Sequence, residues 1–219
     1  MDRPYDKSRR QVQADLTRVL VLQAARDLLA GPAGTSGFTL DTVASHAGVS
    51  RATVFNLFGG RPGLLTALFD EMSGRAGLMD VDALLAQEDS WTALCDYVQR
   101  FGDFYEAERG PLKKLRAYAA FDADFSRLVR SRDDKRSAGL LYLVQCLPKT
   151  SGLPAAHQRK LVSKLKALLL LEVFESIAGP QQPLQRATPV VLEMARALVE
   201  TVPATSPPPS SRAKSAHRR

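Results

Sequence analysis

Residues 38–65 read FTLDTVASHAGVSRATVFNLFGGRPGLL, and this stretch decides the fold of the N-terminal part of the chain. Thr39 can cap a short helix. The run Ala47-Gly48-Val49 predicts a tight turn, because glycine supplies the positive φ that such a corner needs. Ser50 can then cap a second helix, 51–58. Two short helices joined by a tight turn predict a helix-turn-helix.

The second helix is predicted to have an inner and an outer face. Val54 and Phe58 lie four residues apart, so both are expected to point into the core. The outer face is then free for the major groove of DNA. A plain structural pair of helices is the alternative interpretation. The residues of this helix and its cap that are expected to contact DNA are Ser50, Arg51, Ala52, Thr53, Phe55 and Asn56.

The chemistry of these side chains suits recognition of base edges. Arg51 is the best candidate for a bidentate contact with guanine, and Asn56 could pair with adenine in the same way. Thr53 could contact a thymine methyl group or a phosphate. Thr39 and Thr42, at the start of the preceding helix, could donate hydrogen bonds to the flanking DNA backbone.

Residues 15–72 resemble the DNA-binding domain of the TetR family of transcriptional regulators. The resemblance rests on the helix LTRVLVLQAARDLLA, on a glycine-rich loop ending in Phe38-Thr39, on the turn, and on VFNLF at 54–58. Arg61 and Leu64-Leu65 then open a further helix. The resemblance implies a sequence-specific DNA-binding regulator with a three-helix N-terminal domain and a helical ligand-binding and dimerisation domain. It also implies a phosphate contact for Arg61.

One part of the chain departs from the family pattern. The family usually has two tyrosines and then a histidine where this chain reads Phe55-Asn56-Leu57. Phenylalanine and leucine cannot donate to a phosphate, and each missing bond to a charged acceptor costs about 1.5–3 kcal/mol. We expect the basic N-terminal residues Lys7, Arg9 and Arg10 to compensate by entering or flanking the minor groove. Solvated disorder is the alternative for this segment.

Net charge and composition divide the chain into four parts. The chain has 219 residues and a net charge of +7, of which residues 1–10 carry +2 and residues 203–219 carry +4. The remaining +1 does not predict a general polyanion-binding body. The predicted division is a basic arm (1–14), a DNA-binding domain (15–73), a ligand-binding and dimerisation domain (74–202) and a disordered basic, proline-rich tail (203–219).

The hydrophobic periodicity predicts an all-α fold of about nine helices and no strand. In the first helix, the apolar residues expected to face the core are Leu16, Val19, Leu20, Ala24 and Leu28. A short helix is predicted at 80–87, and one continuous helix is predicted from 155 to 178.

The sequence argues against several other classes of protein. It has no long apolar run that would predict a membrane span and no secretory signal, so a cytoplasmic protein is expected. Cys95 and Cys146 are expected to be reduced, buried thiols. The three histidines are scattered, so neither a metal nor a cofactor is expected. Ser163 and Lys166 match a bare S-x-x-K, but no partner motif accompanies them, and no enzyme activity or catalytic residue is predicted.

Dimerisation is expected because one such DNA-binding domain reads only a half-site. The predicted partners are therefore a second copy of the chain and a palindromic operator in double-stranded DNA. The resemblance implies that the last two helices form the dimer interface, although they could also be core helices of a monomer. The residues predicted for the interface are Leu168, Leu169, Glu172, Val191, Met194 and Leu198.

A ligand pocket is expected among the aromatic residues of the second domain, although core packing is the alternative for each of them. A glutamate in such a pocket would favour a cationic or hydroxylated ligand. The residues predicted for the pocket are Phe101, Tyr105, Tyr118, Phe121, Tyr142, Glu172 and Phe174.

The sequence and the resemblance together predict a repressor that a small, largely apolar effector releases from DNA. The alternative is a DNA-bound adaptor that is regulated by a protein partner. An enclosed cavity with convergent polar groups would favour the repressor, whereas a filled core and an exposed apolar patch would favour the adaptor.

Overall fold

The structure, a computed structural model, describes most of the chain, but not the side chains of residues 4–9 and 118. The described ranges are 4–31, 37–78 and 89–202. The predicted short helix at 80–87 and the predicted tail at 203–219 lie outside these ranges. Within them the chain forms helices and no strand, which confirms the all-α prediction.

The described ranges hold ten α-helices and one 3-10 turn. They are α1 (Pro4–Ala30), α2 (Leu40–Ala47), α3 (Arg51–Phe58), α4 (Arg61–Arg75), α5 (Ser90–Ala107), α6 (Arg109–Ala119), α7 (Ala123–Cys146), α8 (Ala155–Leu168), α9 (Leu171–Ala178), the 3-10 turn Leu184–Ala187 and α10 (Thr188–Glu200).

Helix α1 is longer than the sequence predicts. It begins at Pro4, so residues 4–14 of the predicted basic arm are helical rather than disordered. Proline is tolerated in the first turn of a helix because its missing N–H needs no partner there. The lysine, arginine and glutamine residues that follow are good helix formers, so the helix extends.

Only the C-terminal part of the predicted α1 face, Ala24 and Leu28, meets the core. Leu16, Val19 and Leu20 are more than half exposed, whereas Val21 and Leu29 are completely buried. The helix carries two apolar stripes, and periodicity alone does not tell which of them meets the core. Packing against α2, α4 and α6 selects the second stripe.

Local hydrogen bonds fix the helix-turn-helix as predicted. Thr39 caps α2, and its hydroxyl accepts a bond from the amide of Thr42. Gly48 ends α2 with a φ of 67°, in the left-handed region that favours glycine. Ser50 then caps α3 by accepting a bond from the amide of Thr53 at 3.0 Å. These caps confirm the predicted boundaries of both helices.

The turn between α3 and α4 depends on glycine. Gly59 and Gly60 have φ values of 70° and 120°, which other residues rarely adopt. Gly63, in the first turn of α4, lies so close to the preceding helix that a Cβ would stand 1.8 Å from the carbonyl oxygen of Phe58. Only glycine therefore fits this approach.

The predicted continuous helix from 155 to 178 is two helices in the structure, α8 and α9. The break at Leu169-Leu170 frees the carbonyl of Leu169 from helical bonding. The Tyr105 hydroxyl donates to this oxygen at 2.6 Å, and Arg136 donates to it at 3.2 Å. Bonds from α5 and α7 thus replace the lost helical bonds, which explains why the local sequence did not reveal the break.

Candidate DNA-binding site and body cavity

Helix α3 presents the outer face that the sequence predicts. Val54 is fully buried and Phe58 nearly so, and these two side chains hold the helix on the core. Arg51, Ala52 and Asn56 are exposed, and Phe55 is 53% exposed. The predicted DNA-contacting residues of α3 therefore lie on its outer surface, and their contact with DNA stays a prediction.

Four of the predicted DNA-contacting residues carry hydroxyl groups that already have local partners. They are Thr39, Thr42, Ser50 and Thr53. Thr42 accepts from the Thr39 amide at 3.0 Å, and its hydroxyl also donates to the Thr39 carbonyl at 3.0 Å. The hydroxyls of Ser50 and Thr53 are 2.8 Å apart. These bonds fix the helix ends, so we expect the hydroxyls to assist DNA binding mainly by orienting backbone N–H groups towards phosphates.

Arg51 forms an exposed ion pair with the helix before it. Its Nε lies 3.4 Å from a carboxylate oxygen of Asp41, and both side chains are more than 60% exposed. Exposed ion pairs contribute little free energy, about 0–1 kcal/mol. The guanidinium can therefore leave Asp41 for a guanine edge at small cost.

Arg61 has other partners than the phosphate that the resemblance implies. Its Nε donates to the carbonyl of Phe38 at 3.2 Å, and its Nη1 donates to Asp122 at 2.7 Å. The guanidinium also lies 5.0 Å from the ring centre of Phe125. Asp122 caps α7, so Arg61 links α4 to α7.

The pKa of Asp122 reflects this link. Partial burial alone would raise the pKa of the carboxyl group. The hydrogen bonds that Arg61 and the amides of Phe125 and Asp124 donate outweigh this effect, so the pKa is lowered. The carboxylate is therefore held ionised against Arg61.

Two further charged links connect α1 and α4 to the later part of the chain. Arg26 of α1 donates two hydrogen bonds to Glu108, at 3.0 and 2.7 Å, and Glu108 is almost completely buried. Burial raises the pKa of Glu108, and the charge of Arg26 opposes this rise. Arg132 of α7 donates to Asp70 and to the Thr66 carbonyl, both on α4.

A cavity of about 450 Å³ lies between α4, α5 and α7. This volume falls in the range of about 300–1,000 Å³ that is typical of small-molecule pockets. Apolar and aromatic side chains dominate the lining, and the cavity opens beside the exposed residues Lys135, Ala138 and Tyr142. The lining residues are Phe69, Ser73, Leu78, Tyr97, Phe101, Phe104, Arg132, Lys135, Arg136, Ala138, Gly139, Tyr142 and Leu143.

Two of the predicted pocket residues, Phe101 and Tyr142, line this cavity. Tyr105 and Phe174 instead pack edge to face at 5.3 Å in the core, which corrects their assignment. Phe121 is 92% exposed in the turn between α6 and α7, so its assignment was wrong as well. The side chain of Tyr118 lies outside the described part of the chain.

Glu172 does not line the cavity either. Its exposed carboxylate pairs with Arg116 of α6. Partial burial alone would raise its pKa, but the hydrogen bond from Arg116, a backbone hydrogen bond and the charges of Arg116 and Arg136 together outweigh burial and lower the pKa. The expectation of a cationic ligand, which depended on Glu172, therefore has no support in this cavity.

The sequence analysis missed the basic residues of the cavity. Arg132 and Arg136 lie on the same face of α7 as the buried residues Phe125, Leu128 and Leu140. The detectable signal was therefore two arginines at core positions of an apolar stripe. Tyr97 of α5 adds a neutral hydroxyl, since burial raises its pKa to about 12.

The predicted dimer residues separate into buried and accessible groups. Leu169 and Val191 are buried inside the chain itself, so their assignment to an interface was wrong. Leu168 and Leu198 are partly buried against the core, and Met194 is 42% exposed. The buried pair faces inwards because the break after α8 and the packing of α10 on α5 and α8 turn those positions into the core.

The structure shows neither a membrane-spanning helix nor a metal-binding cluster in the described ranges. None of the described helices is long and apolar enough to cross a bilayer. No group of three or more histidine, cysteine, aspartate or glutamate side chains that could hold a metal ion occurs there. Ser163 of the S-x-x-K match donates to the Arg159 carbonyl on the surface of α8. The predicted burial of the two thiols was wrong, since Cys95 is only half-buried and Cys146, at the end of α7, is exposed.

Comparison with known proteins agrees with the site and the fold. Residues 21–68 match the family model described as bacterial regulatory proteins, tetR family. No curated protein matches the chain.

Several solved structures share the fold over most of their length. NalD, the secondary repressor of the MexAB-OprM multidrug efflux pump in Pseudomonas aeruginosa, is 19% identical, with a TM-score of 0.63 over 84% of this chain and 96% of NalD. A TetR transcription regulator from Haloarcula marismortui is 16% identical, with a TM-score of 0.62 over 85% and 97%. The fatty acid degradation regulator FadR from Bacillus halodurans is 15% identical, with a TM-score of 0.58 over 85% and 96%.

An exposed recognition helix on a capped helix-turn-helix, followed by a larger helical domain, defines a DNA-binding transcriptional regulator. With the match over residues 21–68, this part of the chain is identified as a DNA-binding domain of the TetR family.

Proposed function

We propose that the protein is a homodimeric repressor that binds a near-palindromic operator and leaves it when a small, largely apolar ligand enters the body cavity. The observation that carries this proposal is the double role of Arg132. This side chain lines the cavity and also bonds to two groups of α4 in the DNA-binding domain. A ligand that contacts Arg132 therefore acts directly on the helix that follows α3.

Operator binding depends on the outer face of α3. Arg51 and Asn56 read base edges in the major groove, and the backbone N–H groups at the start of α3 bind a phosphate. A helix of eight residues reads only a few base pairs, so useful specificity requires two copies on a symmetric site.

The dimer surface that we propose is the exposed side of α10. Val190 and Met194 lie four residues apart on this helix, and both are more than 40% exposed. Two large apolar side chains on one face of a helix favour burial against a second copy. Leu168 and Leu198 lie at the edge of the core and extend this surface.

Ligand binding is proposed to weaken operator binding through α4. Arg132 links α4 to α7, and Arg61 links the first turn of α4 to the cap of α7. A ligand between these helices changes the position of α4 relative to α7, and with it the spacing of the two recognition helices in the dimer. Operator affinity then falls, because the two half-sites are a fixed distance apart.

The adaptor alternative has one observation in its favour. Val12, Leu16, Val19 and Leu20 form an exposed apolar stripe on α1, which a protein partner could cover. The stripe lies on the DNA-binding domain, however, whereas the cavity lies in the body, where a regulatory ligand is expected. The cavity therefore favours the repressor.

Selection of bound duplexes from a random DNA pool tests the proposal. The full chain is compared with Arg51→Ala and with Arg127→Ala, whose arginine is equally exposed and also pairs with an aspartate. Enrichment of a near-palindrome by the wild type and by Arg127→Ala, but not by Arg51→Ala, supports the proposal. Absence of any enriched sequence, or enrichment of an asymmetric single site, contradicts it.

A further inference from the structure

The charged residues that line the cavity are all basic. They are Arg132, Lys135 and Arg136, and no aspartate or glutamate belongs to the described lining. Asp70 and Asp133 lie outside the lining and pair with Arg132 and Arg136. Even with both of these carboxylates counted, the cavity keeps one uncompensated positive charge.

Three polar atoms of the lining residues have no hydrogen-bond partner in the described part of the chain. They are the hydroxyl of Ser73 and the Nε atoms of Arg132 and Arg136, and all three are buried. An unsatisfied buried donor is unfavourable, so such groups call for an explanation. All three atoms belong to residues that line the cavity but are shielded from the cavity space itself, so a bound acceptor reaches them only when these side chains shift.

The existing bonds of the two arginines leave room for such an acceptor. Arg132 uses its two terminal nitrogens for Asp70 and the Thr66 carbonyl, while its guanidinium lies over the Phe69 ring at 4.8 Å. Arg136 uses Nη1 for the Leu169 carbonyl, and its guanidinium lies over the Phe101 ring at 5.0 Å.

These bonds and rings hold both guanidinium groups in fixed orientations. Since arginine carries five N–H donors, each side chain retains unused donor capacity. Fixed guanidinium groups beside apolar rings suit a planar anionic group that is attached to an apolar body.

We infer that the ligand of this cavity is an amphipathic acid, with an apolar body among the aromatic side chains and a carboxylate bound by Arg132 and Arg136. This inference rests on the proposed function, because it names the chemical class of the ligand at that site. The carboxylate also competes with Asp70 for Arg132, so binding of the acid loosens the link between α7 and α4.

Calorimetric titration of the full-length protein with matched probes at pH 7.5 tests the inference. The probes are octanoate with octanamide, and 4-phenylbutanoate with 4-phenylbutanamide, which differ within each pair only in the head group. The expected result is that at least one acid binds roughly tenfold or more tightly than its amide, as charge-assisted hydrogen bonds to arginine require.

Two variants and a control locate the binding site. Arg136→Gln is expected to reduce the preference for the acid to less than about threefold, on the same basis. The matched control is Arg130→Gln, which removes an exposed arginine of the same helix that is not part of the lining, and it leaves the preference unchanged. Ser73→Ala removes a hydroxyl that has no partner, so it keeps the protein folded and weakens binding of the acid severalfold.

Three outcomes contradict the inference, and a fourth contradicts only the proposed function. Equal or tighter binding of both amides overturns the acidic head group and leaves a ligand-controlled regulator intact. No binding of any probe to the wild type, or an acid preference that survives Arg136→Gln in the folded variant, also overturns it. If an acid binds as inferred but leaves the affinity for a selected duplex unchanged, the proposed repressor mechanism fails and the ligand class stands.

Discussion

The recognition helix and the body cavity both carry arginines, but the two environments are opposite. Arg51 on α3 is 64% exposed, and its ion pair with Asp41 costs little to break. Arg132 in the cavity is 7% exposed and is bound to α4, yet its Nε has no partner. The exposed arginine can be hydrated in the absence of DNA, whereas the buried one cannot.

This difference separates two ways in which a protein prepares for a partner. On the surface, unpaired polar groups are hydrated and have almost no energetic cost. Only the position and the residue types of α3 therefore indicate that it is a binding face. In the interior, an unsatisfied donor is a detectable cost, and it points to the ligand that would remove it. The structure of the cavity therefore restricts the chemical class of its ligand more than the structure of α3 restricts the operator sequence.

The largest expected effect comes from Gly63→Ala, which is expected to displace α3 from its position on the core. A Cβ at Gly63 would stand 1.8 Å from the Phe58 carbonyl oxygen, so the turn between α3 and α4 must distort. Overpacking of this kind costs about 1–3 kcal/mol or more. We expect a lower unfolding temperature and loss of operator binding, measured by calorimetry and fluorescence anisotropy.

The matched control for this change is Gly74→Ala on the same helix. No atom lies within 4 Å of a Cβ at Gly74, so alanine is expected to be neutral or to stabilise the helix by up to about 1 kcal/mol. Equal unfolding temperatures for the two variants would mean that the close approach at Gly63 does not exist.

Arg51→Ala is the next largest change, and it acts on binding alone. Loss of a bidentate contact with guanine is expected to reduce operator affinity by about 1–3 kcal/mol, that is, about tenfold to a hundredfold. The unfolding temperature is expected to stay within error, because the side chain is exposed. Anisotropy titrations against the selected duplex measure the affinity, and an unchanged affinity would assign sequence reading to other residues.

Asp70→Asn removes the negative charge from the link between the cavity and α4 and so weakens this link. If the bond from Arg132 holds α4 in the DNA-binding position, its weakening lowers operator affinity by about 0.5–2 kcal/mol, the range for residues that couple two sites. The measurement is again a duplex titration.

Glu71→Gln is the control for this link, since Glu71 pairs with Arg75 within α4 and not between domains. We expect the control to leave operator affinity unchanged. A loss of equal size in both variants would show that α4 needs its surface charges and that the link to Arg132 has no special role.

Gly139→Ala has the smallest expected effect and tests whether the wall of the cavity at Tyr97 can move. A Cβ at this position would lie 3.2 Å from the hydroxyl of Tyr97, which borders the cavity and can move by a few tenths of an ångström into it. Alanine also favours the helix by up to about 1 kcal/mol, so the net change in the free energy of unfolding is expected to lie below 1 kcal/mol.

Ligand binding is the more sensitive measure of this change. The added methyl group reduces the volume of the cavity and is expected to weaken binding of the probe acids. Gly110→Ala, at an open position of α6, is the control. A clear loss of stability in Gly139→Ala alone would mean that Tyr97 cannot move and that the cavity is rigid on this side.

The sequence predicted those parts of the fold that local hydrogen bonds determine. Thr39, Gly48 and Ser50 act within a few residues of themselves, so the boundaries of α2 and α3 followed from the sequence. The break at Leu169 depends on bonds from Tyr105 and Arg136, which lie more than 30 residues away, and it was therefore missed.

Of the two candidate sites, one could be predicted from local sequence and the other could not. The outer face of α3 followed from the helical period, because Val54 and Phe58 mark the opposite face. The cavity required tertiary structure, since aromatic residues at helical spacing fit a filled core equally well. The basic residues Arg132 and Arg136 were not predicted as site residues, although their positions on a buried stripe are visible in the sequence.

Hydrogen–deuterium exchange with and without the selected operator tests the central claim that the DNA-binding face and the cavity are coupled. Coupling is reciprocal, so DNA must alter the cavity if a ligand in the cavity alters DNA binding. If the two sites are coupled, the operator changes the exchange rates in α3, in α4 around Asp70 and in α7 around Arg132. The change in α7 is then lost in Asp70→Asn. Changes confined to α2 and α3, with α7 unaffected by the operator, would contradict the claim.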